Sequence, residues 1–549
     1  MRSTFLAPAL FAIAVLASAP GGAAAGDPLD AALQAIRPEA LRAHVRFLAD
    51  DLLEGRATGT RGHEIAARYV AARFEATGLE PGGPGGSYLE PVSLRRAEIV
   101  AEASSLTLTS AGGSRDLALG REFVPFADML RERAEIVGQV VYVGFGVSAP
   151  DLRHDDYAAV EVRGRVVALL EGAPASFPAD QRAYYSSRQV KAAEAERRGA
   201  VGILLVWPPE AERRMPYPRI AERVQAGAMS WLDESGRPRE LPDRTLASLI
   251  LSREGVEALF TTSPRSLESV LRVAAAGEAA SFELPVAVRI RTATRHTAAE
   301  SRNVLGLLRG SDPVLAREQV VVSAHLDHLG VGALRDGDAI YNGAYDNASG
   351  AAAILEIAHA LAAVPRRPRR SILFAAVTGE EEGLLGAESL VHRATTAKVD
   401  FVADLNMDMF LTLYPIRDVV AFGGEHSTLG GVVRDAAGRL GLEVSPDPFA
   451  EEVIFIRSDH YAFVKKGIPS LMLACGLKSA DPAVDGGAIL HKWLRSVYHS
   501  PKDDAAQPMD FDSAAKIARL YVLIAHRVAE DPQRPSWNPG DFFASRFAR

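Results

Sequence analysis

The sequence predicts an α/β protein whose main unit is a mixed, mostly parallel sheet covered by helices, with a second αβ unit inserted into it. Three observations predict this. From about residue 302 to 530, short apolar runs alternate with helical runs, the pattern of strands joined by crossover helices. From about 115 to 290 the texture changes to short β-rich runs broken by Pro and Arg clusters. At 549 residues the chain is also too long for one typical domain. The expected divisions are a leader at 1–25, the first part of the main unit at 27–114, the inserted unit at 115–290, the rest of the main unit at 296–530 and a tail at 531–549.

The leader has Arg2, an apolar run over 5–19 and the small residues Ala23-Ala24-Ala25. This reads as a secretory signal peptide cut near Ala25–Gly26. The run is shorter than the roughly 20 residues a spanning helix needs, so no membrane anchor is expected after cleavage. The expected location is exported, periplasmic or secreted. Cys475 is the only cysteine, so no intramolecular disulfide forms. The formal net charge of −8 provides no basic field for nucleic acid.

Apolar residues recur at three- and four-residue steps over 40–53 and again over 66–79, predicting two helices. Between them lies a Gly- and Thr-rich loop at 54–62. Residues 88–92 begin a strand. In the inserted unit, strands are predicted at 136–145, 160–170, 202–207 and 246–251, with a helix at 190–198. In the main unit the strands are 319–323, 370–377, 401–405 and 468–473. The helices are 349–364, 383–393, 429–440 and 511–528. The tail from Asp531 has no period and stays unassigned.

The segment after each main-unit strand is chemically suggestive. His325 and Asp327 come after the first strand, and a loop then ends in Asp346-Asn347 before an Ala-rich helix. Glu380-Glu381-Glu382 come after the second, beyond the tight Thr378-Gly379 turn. Asp408 comes after the third, flanked by Met407, Met409 and Phe410, where a carboxylate is costly to bury unless paired or metal-bound. A long loop after the fourth ends in His499-Ser500-Pro501-Lys502-Asp503. Each alone has an ordinary explanation. Asp346 and the Glu run suit helix N-termini, and His499 suits a surface. Together they collect imidazoles and carboxylates at the carboxyl ends of parallel strands, where ligands bind in such sheets. Nitrogen and oxygen donors without thiolate suit Zn²⁺, with Mn²⁺ or Co²⁺ as substitutes. Ser458-Asp459-His460 cannot make a serine triad from adjacent residues and reads as a structural loop near the site.

The series His325-x-Asp327, Gly343 through Gly350, Thr378 through Gly386, Asn406-Met407-Asp408-Met409, Ser458-Asp459-His460 and His499 through Asp503 resembles the M28 family of co-catalytic zinc peptidases in order and spacing. The stretch Phe47 through Arg56 resembles that family's opening, and Gly199 through Leu204 resembles a protease-associated (PA) domain. The resemblance implies a zinc aminopeptidase/phosphorylase-hydrolase-like fold. It also implies two zinc ions, one held by His325 and Asp408, the other by Glu381 and His499, with Asp346 bridging. Asp327 would orient His325, and Glu380 would be the general base toward a hydroxide bridging the metals. A cis peptide is implied at Asp346–Asn347. Where some relatives carry an oxyanion-stabilising tyrosine before Ser-Asp-His, this chain has Phe455-Ile456-Arg457. The expected activity is aminopeptidase on peptide substrates. The alternatives are a carboxypeptidase or dipeptidase of the same fold, with Arg457 as a carboxylate donor, a one-zinc glutaminyl cyclase, or a non-catalytic receptor-like binding protein. Oligomeric state is not legible.

Overall fold

The computed structural model describes residues 28–239, 246–278, 281–410, 412–449 and 452–548, so the leader expected at 1–25 lies outside the described residues.

The centre of the main sheet is four parallel strands, in the spatial order Ser371–Val377, Glu318–His325, Asp400–Asn406, Ser470–Cys475. Antiparallel strands extend both sides. Asp418–Phe422 pairs with Ser470–Cys475, and the last part of the long strand Phe282–Leu308 pairs with Ser371–Val377. The sheet is therefore mixed and parallel at its core, as the strand–helix alternation predicts.

Side-chain alternation explains the two covered faces. Val320, Val322 and Ala324 point to one face with Ile372, Phe374 and Ala376. Val321 points to the other with Leu373, Ala375 and Val377. The first face receives helices Pro38–Leu48, Gly350–Ala362 and Phe511–Glu530. Helix Gly350–Ala362 is buried nearly all round, which its alanines permit by letting helix and sheet approach closely. The second face receives Leu385–Thr396 and His460–Val464. Burying each Val or Leu in this way contributes about 1.5–3 kcal/mol. Among the described residues no helix is long and apolar enough to cross a membrane.

The 27-residue strand Phe282–Leu308, irregular in register between Glu283 and Ala287, serves two sheets. Its first half pairs with Ser105–Ser110 and Arg133–Tyr142. Its second half pairs with Leu89–Ile99. The interval between 290 and 296, where composition changes, thus lies inside one continuous strand. Beyond Arg133–Tyr142 the inserted unit continues as parallel strands Val166–Leu170, Gly202–Val206 and Ala247–Leu251. Ala228–Trp231 leaves that unit to pair with Leu89–Ile99 of the main sheet.

Several elements carry no clean sequence period. They include helix Gly486–Ser496 inside the expected long loop, hairpin Gly330–Arg335 with Asp338–Tyr341, and helix Phe542–Phe547 in the tail. The helix expected from 383 starts at Leu385, which leaves Glu380 to Glu382 in a turn. Gly379 makes that turn at φ +70°.

Candidate functional site

Strand register sets the site's level. His325 lies opposite Val377, and Ser323 lies opposite Asn406. The residues just past these strands therefore emerge at one edge, and the loop ending at His499 folds over them.

Asp346 is at the centre. Its Oδ1 is 3.3 Å from His325 Nε2, and its Oδ2 is 3.1 Å from His499 Nε2. His325 Nε2 is also 3.2 Å from Asp408 Oδ1. His499 Nε2 is 3.3 Å from Glu381 Oε1. All five residues singled out as candidate ligands thus meet in one cluster, with His325 and Asp346 buried and the other three residues part-exposed at its rim. The Asp346–Asn347 peptide is cis.

His328 joins them, although nothing in the local sequence pattern singles it out. Its Nδ1 is 2.8 Å from Glu381 Oε1 and 3.8 Å from Asp346 Oδ2. Neither ring nitrogen of His328, nor Glu381 Oε1, has a partner in hydrogen-bond geometry. The short contact is therefore close but misaligned. The available signal was the imidazole directly after Asp327.

One supporting role differs in its atoms from expectation. The Asp327 carboxylate is 4.0 Å from His325 Nδ1, beyond hydrogen-bond reach. The ring N–H donates instead to the Asp327 backbone carbonyl at 3.1 Å. The carboxylate is occupied elsewhere: it accepts the N–H groups of Glu380 and Glu381 at 3.2 and 3.4 Å and the Thr58 hydroxyl at 3.0 Å. Asp327 orients His325 through its carbonyl and pins the glutamate turn through its side chain. Asp503 accepts the N–H groups of Tyr345 and Asp346. His499 is braced by stacking on Tyr498, with ring centroids 3.8 Å apart. The Ser458-Asp459-His460 segment is structural at its first residue, whose hydroxyl accepts from Asn406 two positions before Asp408.

Arg56 holds these loops from behind. It is fully buried and donates to the carbonyls of Leu326, Asn342, Gly343 and Leu48. Burial pulls its guanidinium down to about 10, while Asp503, Asp327, Asp346 and Glu381 work to keep it charged. From the inserted unit, Arg223 reaches over to donate to the Glu381 carbonyl at 3.1 Å.

The site's charges are strongly perturbed. Burial opposes the imidazolium of His499, but Glu381 and Asp346 outweigh it and raise it to about 9. Burial and Glu381 push Asp346 up, yet His328, His325 and His499 together hold it well below the carboxylate range. Burial raises Glu380 well above its ordinary value; His325 opposes, and Asp408 and Glu381 add to the rise.

These residues fit metal. His325, Asp346 and Asp408 form one group of mutually close ligand atoms, and His328, Asp346 and Glu381 form a second, sharing Asp346. Two ligands about 2.0–2.1 Å from one tetrahedral ion lie roughly 3.3 Å apart, the spacing seen here. The unpartnered Glu381 Oε1 and His328 nitrogens are the orphaned donor atoms that such an ion would satisfy.

Fold and site together give an α/β sheet with imidazole and carboxylate groups, able to hold metal, converging at the carboxyl edge of its parallel strands. Residues 303–525 match the model of peptidase family M28. Among curated relatives, a probable zinc metalloprotease of Leptosphaeria maculans is 36% identical over 286 residues, covering 46% of this chain and 62% of that protein. A probable leucine aminopeptidase of Trichophyton verrucosum is 27% identical over 235 residues, covering 40% and 57%. The chain thus spans less than two thirds of the length of these relatives. An aminopeptidase from Aneurinibacillus sp. strain AM-1 has the same overall fold, with a TM-score of 0.52 at 17% identity, covering 94% of this chain and 99% of that one.

Proposed function

We propose that the protein is a two-zinc aminopeptidase, with His325 and Asp408 on one ion, Glu381 and His499 on the other, and Asp346 between them. The observation that supports this best is the division of Asp346, one oxygen facing His325 and the other facing His499. Zinc held by these residues would supply a Lewis acid for the scissile carbonyl and would lower the pKa of a bound water toward about 7. Glu380 is partly exposed at this edge, while the Glu381 side chain beside it is buried. Glu380 takes the proton from the attacking water and returns it to the leaving amine. Asp327 keeps the two glutamates apart by holding both backbone N–H groups. The inserted unit, which resembles a PA domain, walls the cleft through Arg223.

One observation favours a second reading. Arg457 follows the short helix Ile454–Ile456, and its side chain is about half exposed. It lies 3.7 Å from the Glu452 carboxylate and donates to the Glu452 carbonyl, and its charge also acts on Tyr498, Glu380 and Asp408, so a cation stands near the site edge where a terminal carboxylate would bind. That reading is a carboxypeptidase or dipeptidase. A panel of aminoacyl, N-blocked and C-terminal chromogenic substrates, each with and without chelator, separates the two. Chelator-sensitive cleavage of free-amine substrates alone supports the aminopeptidase. Cleavage of N-blocked substrates that requires a free carboxylate supports the alternative. Export is proposed from the leader's composition; N-terminal sequencing of the mature protein, starting near Gly26, tests it.

A further inference from the structure

We propose that Asp180, Glu425 and His426 form an additional divalent-cation site, apart from the Asp346 cluster, that ties the inserted unit to the main sheet and the tail.

The three residues come from distant parts of the chain. Asp180 lies in the first turn of helix Ala179–Ser186 of the inserted unit. Glu425 and His426 follow strand Asp418–Phe422. Each offers one ligand atom, and these atoms all lie within 4.8 Å of one another.

His426 is set up as a ligand. Its ring is 2% exposed. Nδ1 donates to Asp541 Oδ2 at 2.7 Å, at the start of tail helix Phe542–Phe547. A metal-binding histidine commonly gives its second N–H to a carboxylate, which fixes tautomer and ring orientation. Nε2 then carries the lone pair, and it makes no hydrogen bond among the described residues. Glu425 Oε1 lies 3.8 Å from Nε2, and Asp180 Oδ2 lies 3.9 Å from Nδ1. The rings of Phe455 and Phe543 wall the imidazole at centroid distances of 4.7 and 5.0 Å, lowering the local polarity.

The charge balance points the same way. Asp180, Glu425 and Asp541 surround one imidazole. Asp447 adds to the negative field at Glu425. A divalent cation offsets that excess. Imidazole nitrogen with carboxylate oxygen and no thiolate suits Zn²⁺ or Mn²⁺. An ion here would fasten together the inserted unit, the main unit and the tail, and so the unit that carries Arg223 over the cleft.

The test uses the full chain and zinc alone. Asp180 and Glu425 have side chains 38% and 62% exposed, so Asp180→Asn with Glu425→Gln leaves the core intact. Zinc per chain is counted by elemental analysis after dialysis against zinc-buffered solution. The double variant is expected to bind about one zinc fewer than the native chain. It should keep peptidase activity and lose part of the zinc-dependent rise in Tm. A chain with Asp346→Ala should keep the zinc that the double variant loses, which separates this site from the Asp346 cluster whatever that cluster does. Equal zinc content and an equal Tm rise in native and double-variant chains would overturn the proposal and leave His426 as a histidine bridged to Asp541.

Discussion

Asp503 accepts the backbone N–H of Asp346 on one carboxylate oxygen, at 3.0 Å, and that of Tyr345 on the other, at 2.9 Å. It therefore fixes the plane of the loop from which Asp346 reaches both histidines. An amide at 503 has one acceptor and would present N–H to N–H at the other bond. Asp503→Asn is expected to weaken zinc binding about 10–100-fold, the usual cost of losing a supporting partner. Chelator competition measures it; unchanged affinity would show that the loop holds itself.

Glu380→Gln is expected to lower kcat by about 10²–10⁴ with zinc content near native. The amide keeps the shape and cannot take a proton. Steady-state kinetics with metal analysis on the same sample checks both halves. Native kcat in the variant would remove Glu380 from the mechanism.

His328 crowds the same carboxylate as His499, with ring centroids 5.7 Å apart. Its removal frees Glu381 to swing. His328→Ala is expected to weaken the ion on the Glu381 side about 10–100-fold while the His325–Asp408 side holds, so a zinc titration splits into two unequal steps. A single unaltered step would make His328 a spectator.

Arg56→Lys tests the clamp behind the loops. A lysine brings at most three donors from one point and cannot span four carbonyls. Leaving buried carbonyls unpaired costs about 1–3 kcal/mol each, so a loss of roughly 2–4 kcal/mol in urea unfolding is expected. A change under about 0.5 kcal/mol, ordinary for a surface position, would contradict it.

Lys191 provides a pH dependence away from the site. It is 2% exposed and donates to the carbonyls of Leu170 and Gly172. Burial lowers its pKa from 10.5 to about 8. Between those values the unfolded chain binds more protons than the folded one, so this residue makes stability rise with pH across that window. Below about pH 8 its cost is constant, on the order of 3 kcal/mol. Lys191→Met should flatten the rise between pH 8 and 10 in chemical unfolding. Parallel native and variant curves would contradict the assignment.

The strand–helix alternation from 302 onward was legible because a two-residue strand period and a helical period differ locally, within a few residues of Val320 or Ala352. The clustering of His325, Asp346, Glu381, Asp408 and His499 at one edge was legible because parallel strands put all their carboxyl ends on the same side. Which atom serves which neighbour was not. Asp327 faces His325 with its carbonyl because the Glu380 and Glu381 amides, 53 and 54 positions later, claim its carboxylate. Asp503 serves Asp346, 157 positions earlier, while Tyr498 braces His499. The roles of His328 and Arg56 and the double duty of Phe282–Leu308 could not be assigned for the same reason: long-range partners leave no local period. Composition and position along each strand are enough to dictate which chemistry gathers at the sheet's edge. The geometry that assigns each side chain its task comes from contacts between segments far apart in the chain, which only folding brings within bonding distance.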